Sequence, residues 1–90
     1  MAAMKGMNVE EVQTFASNVK GTHIETVQSA ITACLGNAEA LQWVGPDFNN
    51  FVSNEVADVR TKLETLVGSL TQLATSAETN AQAQDTTSAS

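Results

Sequence analysis

His23 and Cys34 are the single histidine and the single cysteine of the chain. They are the side chains best suited to proton transfer and to thiolate chemistry. A histidine acts as a general base only when a partner orients it in a pocket. No Ser, Asp or Cys stands near His23 at a spacing that links the two, and the Glu-x-x-His pattern of metal sites in helical bundles is absent. His23 falls on an apolar seam, which predicts a hydrogen-bonded or rim histidine. The alternative is a pH switch in a dimer, since its charge changes between about pH 5 and 8. One cysteine forms neither an internal disulfide nor a cysteine-based zinc site. Cys34 is expected as a small apolar packing residue, with an intermolecular disulfide left open. No Gly-rich phosphate loop is present, and the carboxylates are scattered along helix faces. The chain is therefore expected to be no enzyme and to hold no cofactor and no metal.

Charge narrows the partners. Four basic residues stand against ten acidic ones, a net charge of −6. Nucleic-acid affinity comes mainly from Lys and Arg neutralising phosphates, so no nucleic-acid partner is expected. The same sign opposes attraction to anionic lipid. No run of ~18 apolar residues exists, so no stable membrane insertion is expected. The segment Met1–Met7 has one lysine and lacks the apolar run of a signal peptide. The protein is expected to be cytoplasmic or exported without a cleaved leader.

Two long helical patterns must position everything else. The first is expected over about residues 8–42, after a flexible stretch 1–7. Asn8 is a strong N-cap residue, and Glu11 three residues later completes a capping-box arrangement. Its seam runs Val12, Ala16, Val19, His23, Val27, Ala30, Cys34, Ala38, Leu41, in steps of three or four. Phe15, Ile24, Ile31 and Leu35 lie beside it and widen the stripe, as suits a helix with more than one neighbour. Gly21, followed by the capping-like Thr22 and Glu25, offers a break into three helices. The seam keeps phase through it, which favours one continuous helix.

The second pattern is expected over about residues 48–78, fraying to 84, with 79–90 a mobile tail because nothing there is larger than Ala. Its seam is Val52, Val56, Val59, Leu63, Leu66, Leu70, Leu73, Ala77, a heptad repeat of the coiled-coil type. Asp58 and Lys62, like Arg60 and Glu64, stand four apart on the helix surface. Two such helices, each ~50 Å long and joined by a turn at residues 43–47, must lie antiparallel. The expected fold is all-α: a two-helix hairpin that dimerises into a four-helix bundle and so covers its remaining apolar surface. A 90-residue chain is marginal alone, burying only about 60% of its unfolded surface.

In the turn Leu41-Gln-Trp-Val-Gly-Pro-Asp-Phe48, Gly45 is expected to take positive φ and end the first helix. Pro46 suits the first turn of the second helix. Trp43 is the only tryptophan and packs at the bend, or builds a recognition surface there.

Trp43-Val44-Gly45 at mid-chain, Phe51 eight residues after the tryptophan, the near-hundred-residue length and the two long amphipathic helices resemble one family. These are the WXG-motif proteins, small helical hairpins exported by type VII (ESX) secretion systems. The resemblance covers about residues 8–84. It implies a homodimer or a heterodimer with a sister protein, and export driven by the secretion ATPase. In actinobacterial members it further implies that Trp43 and Gly45 join a tail signal on the partner to make a two-part export mark. That signal is Tyr, three residues, then Asp or Glu. This chain departs from it. It has no tyrosine, and Ala81 and Ala74 stand four residues before Asp85 and Glu78. Either a partner carries the mark or the host uses another. A chaperone-like partner of a larger co-secreted effector is the second expectation, and a membrane-active protein a distant third, since membrane-surface helices are usually Lys- and Arg-rich.

Overall fold

Capping starts the first helix where the sequence places it. In a computed structural model that describes residues 6–89, with side chains through residue 84, the Glu11 amide donates to Asn8 Oδ1 at 3.1 Å. Helix α1 spans Val9–Asn18 and α2 spans Ile24–Glu39, joined without a break by a π-helical turn over Val19–His23. A loop reverses the chain. The second arm then comprises α3 (Pro46–Asn50), a π-helical turn over Phe51–Val56, and α4 (Ala57–Ala89). The described residues form two antiparallel helical arms and contain no strand. The rod measures 67 × 16 × 14 Å.

Several boundaries differ from expectation. The first arm stops at Glu39, not near residue 42, and the second starts at Pro46, ahead of residue 48. The turn is accordingly residues 40–45. Proline disfavours helical geometry at the residue before it and fits the first helical turn itself. Gly45, at φ +128°, therefore caps the second arm instead of ending the first. The second arm does not fray at 78–84 into a tail. Its backbone stays helical to Ala89, and Ala81 is fully buried. Smallness is the reason: alanine is the best helix former, and it needs no bulk where the arms pass closely. Gln13 of α1 lies beside Glu78, Thr79 and Gln82. Of the expected flexible start, residues 1–5 lie outside the described residues.

The seam also moves. Ala16, Val19, Ile24 and Leu35 are buried along the first arm, with Val12, Val27, Ile31 and Ala38 half-buried. His23, Ala30, Cys34 and Leu41, all expected on the seam, are exposed. In their place Ile24, Ile31 and Leu35 turn inward, because Ile and Leu remove more apolar area from water than His, Ala or Cys. Ala16, Val19, Ile24 and Ala74 form the core, with Val67, Leu70 and Ala77 packed against it. On the second arm Val56 is buried and Leu63 half-buried, but Val67, Ala74 and Ala81 face inward where Leu66 and Leu73 were expected.

Two ion pairs link the arms at the surface. Lys20 Nζ lies 2.6 Å from Glu78 Oε1, and an Arg60 nitrogen 3.1 Å from Glu39 Oε1. Arg60 thus bridges the arms, not Glu64 on its own helix. Asp58 and Lys62 do pair, at 2.8 Å. The hydrogen bond from Lys62 to Asp58, and the attraction of that carboxylate, raise the ammonium above its ordinary range. The Thr61, Thr65 and Thr71 hydroxyls donate to the carbonyls one turn back, which lets a threonine-rich helix satisfy them locally.

At Gly68 an added Cβ would meet nothing within 4 Å. Gly68→Ala is expected to stabilise the hairpin by about 0.5–1 kcal/mol, since glycine carries that entropic cost inside a helix. Thermal melts at fixed protein concentration measure it.

Candidate functional site

The elbow gathers what the sequence singled out. Phe48 and Phe51 stand three apart, on one face of the second arm. Trp43, on the loop, lies over both. Its ring centroid is 5.5 Å from that of Phe48 and 5.4 Å from that of Phe51, and the two phenylalanines are 6.3 Å apart. These are the tilted and stacked contacts that aromatic rings prefer. The backbone enforces them. The Trp43 amide donates to the Leu41 carbonyl at 2.9 Å, and the Asn49 amide donates to the Gly45 carbonyl at 3.2 Å, closing the first turn of the second arm. Gly45 holds a φ that L side chains rarely adopt. The π-helical turn over Phe51–Val56 adds a further constraint: it lets Phe51 meet Trp43 while Val56, five residues on, is buried against the first arm.

The outer side of the cluster is open to water, with Phe48 and Phe51 half-buried beneath it. Trp43 is 41% exposed and Val44 96% exposed, and Leu41 is exposed beside them. An apolar patch of this kind at the end of a rod, with no ionisable group inside the aromatic trio, suits recognition. It offers no acid, base or nucleophile. Among the described residues, no three His, Cys, Asp or Glu side chains lie close enough to share a metal ion.

A second feature starts at the elbow and runs along one flank. Cys34, Ala38, Phe51, Val56 and Val59 line an open apolar hollow there. Beyond it Val59, Leu66 and Leu73, seven apart, form a stripe with 42%, 43% and 51% exposure. At about 100° per residue, this stripe lies to one side of the inward-facing Leu63, Leu70 and Ala77. Arg60 and Glu78 lie to the other. On the first arm the same geometry sets Phe15 and Cys34 on one flank and Lys20 and Glu39 on the opposite one. The hairpin therefore has one flank closed by two ion pairs and one apolar flank.

Trp43, Gly45 and Phe51 thus meet at the elbow. The residues expected as hairpin or dimer interface divide into two groups. Val12, Val19, Ile24, Val27, Ile31, Val52, Val56, Leu63 and Leu70 lie between the arms, buried or half-buried, and Phe15, Leu41, Val59, Leu66 and Leu73 lie open. The inward roles of Val67, Ala74 and Ala81 were missed; the sequence signal for the first two is a small or β-branched residue beside a heptad leucine, and Ala81 continues their seven-residue spacing from Ala74. No helix of the described residues is long and apolar enough to cross a membrane. No family model matches the chain, and it has no match among curated proteins or solved structures.

Proposed function

We propose that this chain is a small non-enzymatic WXG-motif protein, a substrate or co-substrate of a type VII secretion system. It acts as a protein–protein interaction module, through a dimer of helical hairpins. The observation that carries this reading is the solvent-open cluster of Trp43 on Phe48 and Phe51, held at the elbow by the positive φ of Gly45. A tryptophan needed only for packing has little reason to stay 41% exposed beside an exposed Val44. In this reading the elbow is the mark read by the secretion ATPase.

The dimer is supported by surface. A compact protein of this mass exposes roughly 5,000 Å², whereas the chain exposes 6387 Å². The surplus exceeds the ~800 Å² that each partner buries in a specific interface, so one face of the rod is large enough to supply it. The flank bearing Phe15, Val59, Leu66 and Leu73 meets a second copy, or a sister WXG-motif protein. A second reading, a chaperone-like partner of a larger secreted effector, is favoured by one observation: these 90 residues contain no tyrosine and so no Tyr-x-x-x-Asp or Glu signal.

Trp43→Arg in the native host, with the secreted and cell-associated protein both quantified, tests the proposal. The expected result is loss of the secreted fraction with the helical, associated state retained, because Trp43 lies outside the core between the arms. Undiminished secretion of a folded Trp43→Arg chain would overturn it.

A further inference from the structure

Along the first arm the buried and half-buried residues are spaced by three or four everywhere except once, at the five-residue step from Val19 to Ile24. In a regular α-helix, five residues turn the chain about 140° past a full turn. Val12, Ala16 and Val19 would then face one direction, and Ile24, Ile31 and Leu35 another. Yet both sets face α4. The π-helical turn over Val19–His23 lies at that step. There the Ile24 amide donates to the Val19 carbonyl, five residues back, so one extra residue is taken up without breaking the helix.

We infer that this turn is a phase-shifting joint: one residue more than an α-helix needs, which lets two segments of different apolar phase bury against one partner helix. It also decides the outward residues. With the joint, His23 and Cys34 are exposed and Ile31 is shielded. Without it, a regular helix sends His23, Ala30 and Cys34 inward and turns Ile24, Ile31 and Leu35 out. Crowding does not require Gly21 there, since an added Cβ would meet nothing within 4 Å. The surplus residue, not the glycine, makes the joint. The second arm also carries a π-helical turn, over Phe51–Val56, but there Val52 and Val56 stand four apart and the seam keeps its phase. The inference concerns the hairpin itself and holds whether or not the protein is secreted.

Deleting Thr22 tests it. Thr22 is exposed, and its removal leaves Val19 and Ile24 four apart, so a regular α-helix joins the two segments in phase. The shortened chain is expected to stay helical and to melt no lower than the wild type. Deletion of the exposed Ser69, inside the regular helix α4, turns Leu70, Ala74 and Ala81 off the seam and is expected to lower the melting temperature by roughly 10 °C or more. Equal losses from the two deletions would overturn the joint. Thiol labelling of the full-length chain gives an answer that no deletion can spoil. In a Cys34→Ser background, Ile31→Cys is expected to react much more slowly than the neighbouring Thr32→Cys. Equal rates would mean that Ile31 faces water and that the first arm is a regular helix.

Discussion

Aspartate at Val59, Leu66 and Leu73 together is expected to leave a helical hairpin that sediments as a monomer. The three residues make one stripe, 42–51% exposed, and none belongs to the core between the arms. The folded single chain therefore loses helix propensity, a few tenths of a kcal/mol per site, and the half of each side chain already covered, on the order of 1 kcal/mol per site. A dimer loses far more. Its apolar flank forfeits three large side chains, at about 25 cal/mol per Å² removed from water. Three unpaired carboxylates must also be desolvated, at several kcal/mol for each one fully buried. Each chain already carries a net charge of −6, which adds repulsion at low salt. Sedimentation equilibrium of the wild type should return twice the 9.5 kDa chain mass, and that of the variant the single mass at unchanged helical circular dichroism. A variant that still associates as the wild type does would remove this flank from the proposed interface.

The second large effect separates two neighbours. Ile24→Ala is expected to cost about 2–5 kcal/mol, the usual range for truncating a buried isoleucine, whereas His23→Ala should stay within about 0.5 kcal/mol, as exposed substitutions do. Ile24 is 8% exposed and packs with Ala16, Val19 and Ala74; His23 is open to water. A chain of this size has only roughly 5–13 kcal/mol in total, so the isoleucine variant loses a large share. Urea unfolding of both variants at one protein concentration keeps any contribution from association constant. A larger loss from His23→Ala would restore the regular seam that periodicity alone suggests.

Much of the fold is legible in local chemistry. Asn8 with Glu11, Pro46 ahead of Asp47, and Asp58 with Lys62 each act within one or two turns, where sequence distance is spatial distance. The elbow was legible for the same reason, since Trp43, Gly45, Phe48 and Phe51 lie within nine residues of each other. Reading fails where one position offers two solutions. Steps of three and four are what an α-helix repeats, so an expectation built on them passes from Val19 to His23 and misses the step to Ile24. On the second arm Leu66 stands beside Val67, and Leu73 beside Ala74. Hydrophobicity favours the leucines. Ala16 and Ala74 are both fully buried in the core between the arms, where the smaller residue fits.

The order of residues by itself determined that two long amphipathic helices form, where the first is capped and roughly where the chain reverses, because caps, propensities and a proline act over a few residues. Only the tertiary structure decided which stripe of each helix faces its mate and which is left open, because that choice depends on how near two backbones come, a quantity no single helix contains. Ala16, Ala74 and Ala81 are fully buried between the arms, and Phe15, Val59, Leu66 and Leu73 are left open on one flank.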